Sequence, residues 1–79
     1  MTLFERLKKE ALYAQRSYSE SLLYEVKGKA AMAYELGGIT WGECRELNDM
    51  TVYFMNTNHD YIAHKNKEFF ENARFVALK

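Results

Sequence analysis

The sequence has no proline, one cysteine and four glycines, and its 11 basic and 11 acidic residues leave no net charge. Scarce helix breakers predict long helices. The single cysteine, Cys44, excludes an intramolecular disulfide and is typical of the reducing cytoplasm, where we expect the protein to reside. No run approaches the ~20 apolar residues of a membrane span. A neutral balance disfavours nucleic-acid binding, which needs a basic surface.

What the sequence does contain indicates a folded protein. Its 79 residues are enough for one domain, which we expect to span residues 1–79. Hydrophobic residues make up 48% of the chain and aromatic residues 15%, which argues against disorder. A core this small is only marginally stable alone, and self-association is a common remedy.

A helix stop followed by a helix start occurs in the middle of the chain. Gly37 suits the left-handed position that ends a helix. Thr40 and Glu43 have the spacing of a capping box, in which each side chain accepts a hydrogen bond from the other residue's backbone. Ile39 and Cys44 are placed to pack together as a hydrophobic staple. These signals predict an antiparallel helical hairpin.

The first helix is predicted to begin near Leu3, after a possible capping box of Thr2 and Glu5. Its apolar stripe comprises Phe4, Leu7, Ala11, Ala14, Tyr18, Leu22, Val26, Ala30, Ala33, and Leu36 or Gly37. An unbroken helix to Leu36 would be about 50 Å long. Serines in the segment Ser17–Ser21 disfavour a helix interior, and Ser17 with Glu20 is another possible capping box. One continuous helix and two shorter helices both remain open.

Two further helices are predicted, from about Trp41 to Asn56 and from about Asn58 to Val76, the latter started by Thr57. The predicted inward face of the helix from Trp41 to Asn56 comprises Trp41, Cys44, Leu47, Met50 or Thr51, and Phe54. The predicted apolar stripe of the helix from Asn58 to Val76 comprises Ile62, Phe69, Ala73 and Val76, with Tyr61 and Phe70 beside it. The fold class is therefore all-α: a small three-helix bundle, or four helices if the first one breaks.

The predicted helices differ in length, because the first would be about twice as long as either of the others. Two short helices could pack end to end along the long one. Alternatively, the long helix could extend beyond the hairpin and bind its symmetry mate. Either arrangement would bury the apolar stripe.

The run Val52-Tyr53-Phe54-Met55 places four apolar residues around the whole circumference of a helix, so one packed face cannot bury them all. Val52, Tyr53 and Met55 are therefore candidate partner-binding residues, together with Tyr24, which lies off the main stripe. The alternative is that the third helix covers this side.

No pattern indicates an enzyme, a cofactor or a metal site. Asp60 and His64 share a helix face, but His59 points elsewhere and a structural zinc site needs four ligands. Cys44 falls on an apolar stripe, which favours burial over reactivity. The sequence has no glycine-rich phosphate loop and no nucleophile motif. We expect no enzymatic activity and no small-molecule substrate.

Two segments, Tyr34–Glu43 and Leu47–Thr51, resemble small uncharacterised helical proteins carried on conjugative transposons of clostridia and related Gram-positive bacteria. The resemblance extends in general character over most of the chain and is carried by the turn signature. It implies a cytoplasmic accessory protein of a mobile genetic element that acts by binding a larger partner. It implies no activity, cofactor or catalytic residue.

The sequence thus predicts a non-enzymatic interaction protein that binds another protein or itself as a homodimer. The alternative is nucleic-acid binding through the basic first helix, using Arg6, Lys8, Lys9, Arg16, Lys27 and Lys29. A helix-turn-helix is disfavoured, because its recognition helix would carry Glu43, Glu46 and Asp49.

Overall fold

The computed structural model describes the backbone of residues 1–77 and the side chains of residues 1–71. All of the regular secondary structure in this part of the chain is helical, and it has no strand. Its elements are α1 (Leu3–Arg16), α2 (Glu20–Glu35), α3 (Trp41–Asn48), a π-helical segment (Asp49–Tyr53), α4 (Phe54–Thr57) and α5 (His59–Ala77). The segment from α3 through α4 is one helical rod with a π turn inside it. The predicted all-α class is confirmed.

The break in the first helix resolves the two alternatives in favour of two helices. Tyr18 has a φ of 51°, in the left-handed region, so α1 cannot continue through it. The hydroxyl of Ser17 donates a 2.9 Å hydrogen bond to the Tyr13 carbonyl and is not the cap of the next helix. Ser19 is that cap, because its hydroxyl accepts from the Leu22 N–H. The prediction that Ser17 caps this helix was wrong, since the cap lies two residues later.

Small side chains bring α1 and α2 together. Ala11 and Ala14 on α1 and Ala30 and Ala33 on α2 are all buried. Alanine lets two helix backbones approach closely, because no long side chain stands between them. The two helices run antiparallel, and α3 packs against both of them.

The hairpin turn forms as predicted. Gly37 has a φ of 77°, which a glycine adopts without strain. Thr40 and Glu43 form the reciprocal capping box, with bonds of 2.9 and 3.1 Å. Ile39 is buried beside half-buried Cys44 in the core cluster at this end of the bundle.

The third segment departs from the predicted single α-helix over residues 41–56. Met50 and Thr51 are the two predicted alternatives for one position of its inward face. Thr51 is fully buried, and its hydroxyl donates a 3.0 Å hydrogen bond to the Leu47 carbonyl. Trp41 was predicted to face inward and instead is 62% exposed, packed on the Tyr34 ring at a centroid distance of 5.3 Å. Ile39 fills the core at this end, which leaves the indole outside.

The core has two clusters. The one at the hairpin end comprises Leu7, Ala30, Ala33, Ile39 and Leu47. The one at the opposite end comprises Ala14, Leu23 and Tyr61, with Tyr18, Phe54 and Met55 packed against it. Leu36, predicted to belong to the stripe, is 78% exposed because α2 has already ended at Glu35.

Within the residues whose side chains are described, the last helix, α5, contacts the bundle through its first turns. It is capped by Asn58, one residue after the predicted Thr57, since the Asn58 Oδ1 accepts a 2.9 Å bond from the Tyr61 N–H. Tyr61 is buried, whereas Phe69 and Phe70 are each 68% exposed and so do not belong to the core. The predicted stripe positions Ala73 and Val76 have side chains outside the described residues.

The molecule measures 51 × 21 × 19 Å. Since the first helix is broken, the predicted mismatch of helix lengths within the bundle disappears, and α5 is the helix that extends beyond it. None of the helices in the described part of the chain combines the length and apolar character needed to cross a membrane.

Candidate interaction surface

Tyr53 is the most prominent of the predicted partner-binding residues. It is 61% exposed although it lies within the helical rod that runs from α3 through α4, which we call the third segment. It lines an open groove of about 430 Å³ together with Gln15, Glu46 and Asp49. This groove lies between α1 and the third segment, and we call it the Tyr53 groove. α5 does not cover Tyr53, so the phenol ring is free to contact a partner.

The π turn positions Tyr53. Within it the Phe54 N–H donates to the Asp49 carbonyl, five residues earlier, which widens the turn by one residue. The side-chain amide of Gln15 donates a 2.7 Å hydrogen bond to the Met50 carbonyl and ties the turn to α1. π turns inside α-helices often occur at functional sites.

The other residues of the predicted run have different environments. Val52 is half-buried, and Met55 is half-buried against the cluster that contains Ala14, Leu23 and Tyr61. Met55 therefore contributes mainly to packing, and a partner would contact only its exposed part. The spread of environments follows from helix geometry, because successive residues point about 100° apart.

Tyr24, the fourth predicted residue, lies on α2. It is 52% exposed, and the Lys27 Nζ lies 6.0 Å from its ring centroid. Of the four predicted partner-binding residues, Tyr53 lines the groove, whereas Val52, Met55 and Tyr24 do not. Tyr24 also lies on a different helix from the other three.

Sequence reasoning missed an aromatic surface at the hairpin end. Trp41 packs against Tyr34 with the two rings tilted by 57°, and it borders a depression of about 390 Å³ with Cys44, Arg45 and Asn48. The available signal was the position of Trp41 in the first turn of a helix, next to a loop.

A second missed surface is the open side of the α1–α2 pair. Leu3, Met32 and Leu36 line a groove of about 350 Å³ there. Lys29 crosses it and pairs with Glu10 at 3.3 Å and with Glu25 at 3.4 Å. The hydrogen bond that the Lys29 ammonium donates to Glu10, followed by the one that it donates to Glu25, raises the pKa of Lys29.

The basic residues proposed for nucleic-acid binding are partly neutralised. Lys8 pairs with Glu46 at 3.4 Å, and Lys29 has two carboxylate partners. A phosphate would have to compete with these carboxylates for both lysines, which lowers the affinity of this surface for DNA.

The groups considered for metal or nucleophilic chemistry have structural contacts. The Cys44 thiol lies 3.8 Å from the Ala30 carbonyl and is half-buried. His64 stacks on Tyr18 at 5.0 Å and lies 3.1 Å from a Glu68 carboxylate oxygen. Within the described residues, no three metal-ligating side chains converge.

Tyr61 is the buried titratable group of the bundle. Burial raises the pKa of its phenol, and nearby Glu20, Tyr24 and Glu68 add to the effect. Its ring packs against Phe54 and Tyr18 at centroid distances of 5.5 and 6.2 Å. These contacts fasten the start of α5 to the bundle.

Comparison of the chain with known protein families, curated proteins and solved structures found no match.

Proposed function

We propose that this protein is a non-enzymatic helical interaction module that binds a protein partner through the Tyr53 groove. The observation that carries the proposal is the exposure of Tyr53 on a π turn at the edge of an open groove. An exposed tyrosine combines a large apolar surface with a hydroxyl and loses little conformational entropy on binding. Val52, the exposed part of Met55 and Tyr24 on α2 would add contacts outside the groove.

The chemistry of the groove indicates the kind of partner. Tyr53 supplies the apolar centre, and Asp49 supplies a negative charge at the rim, where Glu46 is already paired with Lys8. Interfaces typically combine an aromatic centre with a polar rim. A complementary partner would present an apolar socket bordered by lysine or arginine.

The cellular setting is a further part of the proposal. The resemblance to proteins of conjugative transposons and the lone Cys44 support a cytoplasmic accessory protein of a mobile genetic element. In that role the module would dock onto a larger protein of the element or of its bacterial host.

The test compares Tyr53→Asp with Leu36→Asp, a matched change at an exposed residue at the hairpin end. Tagged wild-type protein and both variants are used to capture partners from a clostridial lysate, and the captured proteins are quantified by mass spectrometry. We expect Tyr53→Asp to lose a partner that Leu36→Asp retains, with unchanged helicity by circular dichroism.

Equal capture by both variants would refute the Tyr53 groove as the binding surface. Loss of helicity in Tyr53→Asp would show that Tyr53 belongs to the core, contrary to its exposure. A gel shift of generic duplex DNA by the wild-type protein that weakens with salt would favour the nucleic-acid alternative instead.

A further inference from the structure

The α1–α2 pair has one covered side and one open side. On the covered side the third segment packs against both helices and buries Leu47 and Thr51 completely. The open side has two adjoining depressions of about 340 and 350 Å³, which we call together the α1–α2 groove. Among the residues whose side chains the structure describes, only the segment from Leu3 to Leu36 lines this groove.

The groove is apolar at both ends and is crossed in the middle by an ionic bridge. Its larger apolar side chains are Leu3, Met32 and Leu36 at the hairpin end and Tyr13, Leu22 and Val26 at the opposite end. Lys29 borders both depressions and pairs with Glu10 across the seam between the two helices. From Leu3 to Tyr13 the helix rises about 15 Å, which is the length of about three turns of a second helix.

The covered side of the pair shows that the seam between α1 and α2 accepts a helix. Leu47 and Thr51 of the third segment are four residues apart, lie on one helix face and are both fully buried. A helix with an apolar face fits the open side in the same way, with side chains entering the two depressions on either side of Lys29. It would complete a four-helix arrangement around α1 and α2.

The charges of the groove select the charge of this helix. Arg6 and Lys9 line the groove from α1 and are exposed, and neither pairs with a carboxylate within the described part of the chain. The two acidic residues of the groove, Glu10 and Glu25, are both paired with Lys29. The α1 edge therefore attracts carboxylates and repels ammonium groups.

We infer that the α1–α2 groove binds an acidic amphipathic helix of another protein. The apolar face of that helix contacts Met32 and the other apolar side chains, and carboxylates on one flank pair with Arg6 and Lys9. Met32 is 56% exposed, and its unbranched side chain adapts its shape to an occupant. The residues that line this groove do not line the Tyr53 groove, so both can be occupied at the same time.

Two designed peptides labelled with fluorescein test the inference on the full chain. Both form an amphipathic helix with a leucine stripe, and one flank of the stripe carries glutamates in the first peptide and lysines in the second. Fluorescence anisotropy should show that the glutamate peptide binds roughly tenfold more tightly than the lysine peptide, by a margin that shrinks as salt is added. The double variant Arg6→Glu, Lys9→Glu should prefer the lysine peptide.

Met32→Gln removes apolar surface from the groove without adding charge. It should weaken the glutamate peptide roughly fivefold. Tyr53→Asp is the matched control on the other groove and should bind this peptide like the wild type, which separates the inference from the proposed function. Circular dichroism verifies that every variant is folded.

Three outcomes of the peptide titrations would overturn the inference: no binding of the glutamate peptide, equal affinity for the two peptides, or loss of binding in Tyr53→Asp. Sedimentation equilibrium of the free protein adds a fourth. A dimer that Met32→Gln dissociates would show that a second copy of this chain occupies the groove instead.

Discussion

The side-chain amide of Gln15 donates a 2.7 Å hydrogen bond to the main-chain carbonyl of Met50. The two residues are 35 positions apart and join α1 to the π turn. The bond is partly buried, so water cannot fully replace the donor if it is lost. It therefore stabilises the turn that presents Tyr53 as well as the packing of two helices.

Gln15→Leu should lower the free energy of unfolding by about 1 kcal/mol, because the Met50 carbonyl loses its side-chain donor. Urea unfolding followed by circular dichroism measures the change. Arg16→Ala, at the exposed neighbouring position, is the control and should change stability by less than about 0.5 kcal/mol. Equal stability of Gln15→Leu and the wild type would contradict a stabilising role for the bond.

Two glycines should respond in opposite directions to the same substitution. Gly28 lies inside α2, and a Cβ there would meet nothing within 4 Å, so Gly28→Ala should stabilise the protein by up to about 1 kcal/mol. Gly37 has a φ of 77°, and Gly37→Ala should destabilise the protein by about 1 kcal/mol, since alanine is strained at that φ. Thermal unfolding of the two variants measures both changes in stability. A stabilising Gly37→Ala would contradict the left-handed turn.

Tyr61 should make the stability of the fold sensitive to alkaline pH. Its pKa is raised above the ordinary value of 10.0, chiefly by burial, so the folded state holds the phenol proton more tightly than the unfolded state. The stabilising contribution is full below the unfolded pKa and is lost as the pH rises through the folded pKa. Urea unfolding at a series of alkaline pH values should show this loss.

Tyr61→Phe is the matched control for the pH series, because it keeps the ring and removes the ionisable hydroxyl. Its stability should fall less steeply above about pH 10 than that of the wild type. Lys29, whose pKa is also raised, contributes with the same sign in both proteins. Identical pH profiles for the two proteins would contradict a raised pKa of Tyr61 in the folded state.

Local signals in the sequence predicted the helix ends well. Gly37 and the Thr40–Glu43 box were read correctly because caps and left-handed turns depend on a few adjacent residues. The break after α1 was left open, since serines alone do not decide it. In the folded protein the Tyr18 ring packs against Tyr61 and His64, contacts that no local pattern reveals.

The errors occur where tertiary contacts override helical periodicity. The stripe selected Leu22, whereas Leu23 is fully buried, because α2 starts anew at Ser19 and takes its own orientation. Trp41 and Phe69 fit apolar stripes but lie where the neighbouring helices have ended. The run of four apolar residues predicts exposure of Val52 or Tyr53 without deciding between them, and it leaves open that the third helix covers both. It does not predict the π turn, which involves the distant Gln15.

The π turn also carries one residue more than a regular helix needs over the same rotation. Each residue of an α-helix adds about 100° of rotation and 1.5 Å of rise, and a π turn accommodates one residue more than an α turn. Removing a single residue from the segment Asp49–Tyr53 would therefore convert it to regular α-helix and leave α4 and α5 in nearly the same direction around the axis of α3. The surplus residue is absorbed within one turn, so the helices on either side of it keep the orientation that brings Leu47 and Tyr61 into the core.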